Sequence, residues 1–223
     1  MSAEDDLYAQ WLKWLETIED ETMTLWLYRD YWRGLVEMTQ ENDGIPPSTF
    51  FDALGVWYVA AQATAVRRQL DRDPRSISLW RLLGDIAEHP EVMTRERHVA
   101  LWLEDTDDER ERAHNERRAN ENYDKFAGEG NDVIAPERTL EDRERLVTLA
   151  KPITDHVNKS VAHTDEENLA AVPTWEDLNA ALDELGELLK KYVSLLKAEW
   201  LARVAPVQQT PWERAFTVAW KKT

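Results

Sequence analysis

Cysteine is absent from this chain of 223 residues. Its absence removes any disulfide framework, any thiolate metal site and any cysteine nucleophile. Glycine is scarce, with 7 in all, and none belongs to a phosphate-cradling loop or to the Gly-x-Ser-x-Gly elbow of a serine hydrolase. His-Glu-x-x-His does not occur either. Glu111 to His114 is the one Glu-x-x-His spacing, whereas a di-iron bundle needs that motif on each of two helices plus two further carboxylates. No apolar run approaches the roughly 18 residues of a membrane span. The acidic opening MSAEDDLYAQ also lacks the charged-then-apolar pattern of a secretion signal. These absences predict a cytoplasmic protein with no membrane attachment, no metal and no other cofactor.

Positive charge is in short supply: 27 Lys and Arg stand against 44 Asp and Glu, a net charge of −17. A field of that sign repels phosphate backbones at long range, so bulk DNA or RNA is not bound passively. A local basic groove and a basic protein partner both stay open. The acidic residues are too numerous for any catalytic carboxylate pair to stand out. The 11 tryptophans are scattered over the whole chain, which marks a Trp-rich core more readily than a base-stacking platform.

What is abundant is helix-forming: Ala, Leu, Glu and Arg, with few β-branched runs. The fold class is therefore all-α. No Pro/Gly/Ser linker divides residues 1–223, which predicts a single domain. Glu4 to Glu41 carries Leu7, Trp11, Trp14, Leu15 and Ile18, then Leu25, Trp26, Tyr31, Trp32 and Leu35, the spacing of one long helix or of two with a break near Glu19 to Thr22. ENDGIPPS closes it and offers Ser48 as the next N-cap. Thr49 to Leu70 is apolar over most of its circumference, which predicts the central helix of a bundle. At its end Arg67 and Arg68 adjoin Asp71 and Asp73. Ion pairs holding the helix end are the plainer expectation there, and a phosphate clamp the sharper one.

Ser76 or Ser78 can cap a short helix closed by Pro90, and Thr94 another. His89 and His98 stand alone in these and read as surface or cap residues. From Glu104 to Glu137 charges of both signs alternate with few core anchors, which predicts a charged insertion: a helix projecting until Gly128, or a partly disordered arm. A helix resumes after Pro136, with a kink or fresh start expected at Pro152. Thr174 with Asp177 approximates a capping box opening the last major helix, which runs to Val204. Its seam of Leu178, Leu182, Leu185, Leu189, Val193 and Leu196 suits a core or a dimer interface. The tail carries Trp212, Phe216 and Trp220 on a short helix expected to dock back.

Between two helical segments lies KPITDHVNKSVAHTD, Lys151 to Asp165, with the two closest histidines in the chain. At about 100° per residue, His156, Lys159, Ser160 and His163 share one side of a helix, beside a stripe of Ile153, Val157 and Val161. The plain reading is a solvated polar row on a half-buried helix. The chemical reading is acid–base work by histidine: an imidazole can take a proton from a ribose hydroxyl, while Lys, Asn or Ser donors steady the phosphate.

The segment VNKSVAHTD, Val157 to Asp165, resembles the histidine motif of the HEPN superfamily, in its AbiU2-like branch linked to bacterial abortive infection. Arg67 to Ile86 and Pro173 to Tyr192 are similar to the flanking helices of that branch. The resemblance implies a HEPN-like helical bundle and a homodimer in which an Arg-x(4–6)-His motif from each subunit meets in one cleft and cleaves RNA without metal. Carried over residue by residue, the resemblance matches His163 to the histidine, as general acid/base, and Asn158 to the orienting polar position; the residues themselves offer Lys159 as phosphate partner and His156, Ser160, Arg67 and Arg68 toward the substrate. The motif arginine falls at Val157. A cation from elsewhere, Lys159, Arg67, Arg68 or Arg143, has to supply its charge. Three functions follow: an RNA-cleaving defence or toxin-type domain, a catalytically silent interaction module, and an acidic inhibitor or antitoxin of a basic protein.

Overall fold

Six helices of this protein start on a side chain that fills the first orphaned backbone N–H groups. In the computed structural model these caps are Ser2, Ser48, Ser78, Thr94, Asp108 and Thr174. They open α1 (Ala3–Glu41), α2 (Thr49–Gln69), α3 (Leu79–Glu88), α4 (Arg95–Leu103), α5 (Glu109–Ala127) and α7 (Trp175–Lys197). The remaining helix, α6 (Pro136–His156), starts on Pro136, whose missing N–H costs nothing in a first turn. The structure describes residues 2–217 apart from 44, 46, 47, 105, 107, 159–172 and 210. Among the described residues there is no strand, and the architecture is the expected all-α bundle with short extra helices and a charged insertion.

The centre of the bundle is α7, not α2. Leu178, Leu182, Leu185, Leu189, Val193 and Leu196 are all buried, so the leucine seam is core. α1 and α6 pack along it, and α6 also meets α2 and α3. In α2 only the last turns are sealed, at Gln62, Ala63, Val66 and Gln69. Phe50, Val56 and Trp57 are 58–66% exposed: apolarity all round a helix does not bury it when the neighbours cover one side only.

Close approach of α1 to α7 depends on Gly186, where an added Cβ would stand 2.6 Å from Cζ2 of Trp26. α6 is tied to α7 by Asp142, which is 4% exposed. Its carboxylate accepts from Lys191, from the Tyr192 hydroxyl at 2.9 Å and from Arg145 at 3.0 Å.

Several sequence expectations change. α1 passes unbroken through Glu19 to Thr22. α6 passes through Pro152 without a new start, held by burial of Leu146, Ala150 and Ile153. The insertion does end its helix at Gly128, but it does not project. Ala119, Tyr123, Phe126 and Ala127 are buried, and the Tyr123 hydroxyl donates to the Met93 carbonyl at 2.6 Å. α7 stops at Lys197 rather than Val204, because Ala198 turns into the left-handed region at φ +55°. Val204 then returns to the core as part of the following segment.

His98 is neither surface nor cap but fully buried. Its Nδ1 lies 2.9 Å from the Leu195 carbonyl, which can only accept, and its Nε2 receives the Trp102 indole N–H at 3.1 Å. These partners fix a neutral imidazole with the proton on Nδ1. Burial lowers its pKa accordingly. In the tail, residues Trp212–Thr217 form a short helix, and Trp212 meets Tyr31 at 5.4 Å. Phe216 is 50% exposed, and Trp220 lies outside the described residues.

Candidate functional site

The end of α2 and the end of α6 converge on one cleft. Arg67 sits in the last turn of α2, and Asn158 lies two residues past the end of α6. The Arg67 Nε–H donates to Asn158 Oδ1 at 2.6 Å, although 91 residues separate them. Around them a space of about 340 Å³ is lined by Leu70, Asp71, Arg72, Val147 and Thr154 as well. Both partners are exposed, so the guanidinium stays open to a ligand.

The acid on the wall is held ionised. Asp71 accepts the Ser76 hydroxyl at 2.7 Å and the Asp73 backbone N–H at 3.1 Å, which lowers its pKa. Its lone pairs are thus partly spent within its own loop, and Arg67 is not neutralised by a direct ion pair with it. Of the other candidate cations, Arg68 and Arg143 are among the described residues, and both face elsewhere. Arg68 pairs with Glu21 on α1, not with Asp71 or Asp73, and Asp73 pairs with Arg75 at 2.8 Å. Arg143 lies 4.5 Å from the Trp80 ring centroid with its Nε buried and unpartnered among the described residues. Arg72, on the cleft wall, lies 5.2 Å from the same ring.

His156 is half-buried at the last turn of α6, and its Nδ1 is sealed from solvent without a hydrogen-bond partner among the described residues. Val157 is 3% exposed and belongs to the core, as does Ile153. The structure therefore brings Arg67 and Asn158 together and separates Arg68 from them. Lys159, Ser160, Val161 and His163 lie outside the described residues.

Arg72, Thr154 and Val147 on the cleft wall were not singled out from sequence. Nothing in their local pattern marks them, since only the packing of α6 on α2 places them there. Among the described residues one trio, Asp85, Glu88 and His89, could bring three ligand atoms within 4.8 Å of one another. It lies at the C-terminal end of α3, and Asp85 already accepts the Trp11 indole N–H at 2.5 Å. No second feature there points to an ion.

The family model HEPN_AbiU2, described as AbiU2, matches residues 8–210. No curated protein and no solved structure matches at a significant level.

Proposed function

The chain belongs to the AbiU2 family of HEPN domains, an abortive-infection family, and from that premise we propose that it is a metal-independent endoribonuclease acting at the α2–α6 cleft. One observation carries this reading: Arg67 reaches Asn158 from another helix. It brings a guanidinium to the residue next to Val157, where the resemblance calls for arginine. A guanidinium there can grip two phosphate oxygens at once and stabilise the charge that builds as phosphorus becomes five-coordinate.

The chemistry then needs two proton transfers. His163 takes the proton of the ribose 2′-hydroxyl, and the 2′ oxygen bonds to phosphorus. The bond from phosphorus to the 5′ oxygen breaks, and that oxygen takes a proton from an imidazolium. The products are a 2′,3′-cyclic phosphate and a 5′-hydroxyl. In a homodimer the two histidine roles fall to His163 and the partner subunit's His163. Asn158 orients the phosphate, Lys159 adds charge, and His156 and Ser160 contact the flanking nucleotide.

The test is cleavage of single-stranded RNA in the presence of EDTA by wild type, His163→Ala, Arg67→Ala and Arg68→Ala. His163→Ala should abolish cleavage. Arg67→Ala should lower kcat by about 10²–10³, the scale of one lost oxyanion contact, with an unchanged melting curve. Arg68→Ala should keep its activity, since its partner is Glu21. An inert wild type would overturn the reading.

A second reading draws on Val157, whose 3% exposure means the motif position is filled by a core side chain. It is a catalytically silent HEPN-like module that works by binding, or an acidic inhibitor of a basic protein. Salt-sensitive capture of a basic protein, equal for wild type and His163→Ala, selects it.

A further inference from the structure

A second cavity, of about 460 Å³, opens between α1, the middle of α2 and the first turn of α7. Three rings on its wall lie nearly parallel. Trp32 and Tyr58 are 5.1 Å apart at 12°, Trp32 and Trp175 5.9 Å at 11°, and Tyr58 and Trp175 5.9 Å at 22°. Trp175 is 45% exposed, so one ring of this trio reaches solvent. An exposed ring offers a face to another planar ring.

Two guanidinium groups share the wall. Arg29 is 3% exposed, and its Nη1 pairs with Asp183 at 2.6 Å. Its Nε is sealed from solvent and has no hydrogen-bond partner among the described residues. A buried N–H without an acceptor is costly. Arg33 is exposed and makes one long contact, 3.4 Å, to the Asn179 amide oxygen. Burial pushes the Tyr58 hydroxyl up to about 12, while Arg29 and Arg33 draw it back down and Asp30 opposes them, which places both cations near that ring. Glu37, Gln40 and Asn179 add hydrogen-bonding groups at the rim. Arg29 is already paired with Asp183, so the cation on this wall outside any ion pair among the described residues is Arg33, which favours a ligand carrying an anionic group over a cationic one. A phosphate on a heteroaromatic ring satisfies both features.

We propose that this cavity binds a planar heteroaromatic ring carrying a phosphate, the chemistry of a nucleoside monophosphate, taken either as a free nucleotide or as one residue of single-stranded RNA. The ring stacks on Trp175 beside Trp32, and the phosphate meets Arg33 next to the buried Arg29 guanidinium. This site is separate from the α2–α6 cleft and does not depend on cleavage there.

The experiment follows the indole N–H signals of the intact ¹⁵N-labelled protein, with Trp32→Phe and Trp175→Phe used to assign two of them. AMP, GMP, CMP and UMP are titrated separately, each beside its nucleoside, and then a six-nucleotide RNA of mixed sequence. At least one monophosphate should shift the Trp32 and Trp175 signals and bind about tenfold or more tightly than its nucleoside. Trp175→Ala removes an exposed ring at a helix start and should weaken that binding at least about fivefold, the scale of one lost base stack, with an unchanged melting curve. Trp175→Phe should retain most of it. Six-nucleotide RNA binding more tightly than any monophosphate, and equally dependent on Trp175, assigns the site to RNA. Equal affinities assign it to free nucleotide. No shift of these two signals by any monophosphate or by the RNA at millimolar concentration overturns the proposal. So does a nucleoside as tight as its monophosphate, or an unchanged affinity in Trp175→Ala. Because the readout is binding, an inert nuclease leaves the result intact.

Discussion

The helices α7 and α2 are nearly equal in length, 23 and 21 residues, and both look like core in one dimension. α7 repeats its leucines at helical spacing, leaves charges on the opposite side and is buried along its whole length. α2 is apolar almost everywhere, yet Phe50, Val56 and Trp57 face solvent and only its last turns are sealed. Periodicity, not total apolarity, identified the helix that the others surround. A stripe can be matched by two neighbours, whereas an all-round apolar surface needs neighbours on every side. What α2 contributes instead is an end. Its last turns deliver Arg67 to Asn158, and its middle delivers Tyr58 to the aromatic cavity.

The contrast can be broken most directly by truncation. Leu185→Ala on α7, where the side chain is fully buried, should cost about 2–5 kcal/mol in urea unfolding. Trp57→Ala on α2, at 61% exposure, should stay within about 0.5 kcal/mol. Equal losses would mean that α2 is covered in solution by something else. The next effect is overpacking. Gly186→Ala places a methyl 2.6 Å from the Trp26 ring and should cost about 1–3 kcal/mol as α1 is pushed off α7. A melting curve like wild type would show that this contact has slack.

Acid probes the same central helix through His98, whose Nδ1–H is held by the Leu195 carbonyl on α7. Burial depresses its pKa below the ordinary 6.5. As pH falls through 6.5 the unfolded chain binds a proton that the folded chain refuses, so stability is whole above that value and declines below it. Urea midpoints at pH 8, 6 and 5 should fall in that order, with a shallower decline in His98→Gln. A His98→Gln slope equal to wild type would place the acid sensitivity elsewhere. The smallest effect is at the end of α7. Ala198 holds φ +55°, a conformation glycine adopts without penalty, so Ala198→Gly should raise stability by about 0.5–1 kcal/mol. Destabilisation there would mean that the Ala198 methyl makes a needed contact.

The capping signals were legible because a cap is a local event. Ser48, Thr94 and the Thr174–Asp177 box act on backbone groups within three residues of themselves. The leucine seam of α7 was legible for the same reason, being a property of one helix read along its own axis. Asn158 could be chosen from the histidine motif, but its partner could not. Nothing near Arg67 in the chain distinguishes it from Arg68, and only the packing of α2 on α6 turns one toward Asn158 and the other toward Glu21. His98 was misjudged because the carbonyl that holds its Nδ1, Leu195, comes from α7, and its other partner, Trp102 one turn on in α4, does not by itself mark burial. The charged insertion was misjudged because two aromatic anchors, Tyr123 and Phe126, are enough to dock a helix whose composition is mostly ionic.

Sequence alone determined that this chain is helical, where most of its helices begin, that its last major helix carries a leucine seam and which family motif it bears, since each of these rests on interactions a few residues long. Tertiary structure decided which arginine meets Asn158, which histidine is locked neutral and which aromatic rings lie together at an open cavity. Those outcomes depend on the distance between side chains on different helices, which is fixed only when the helices pack together.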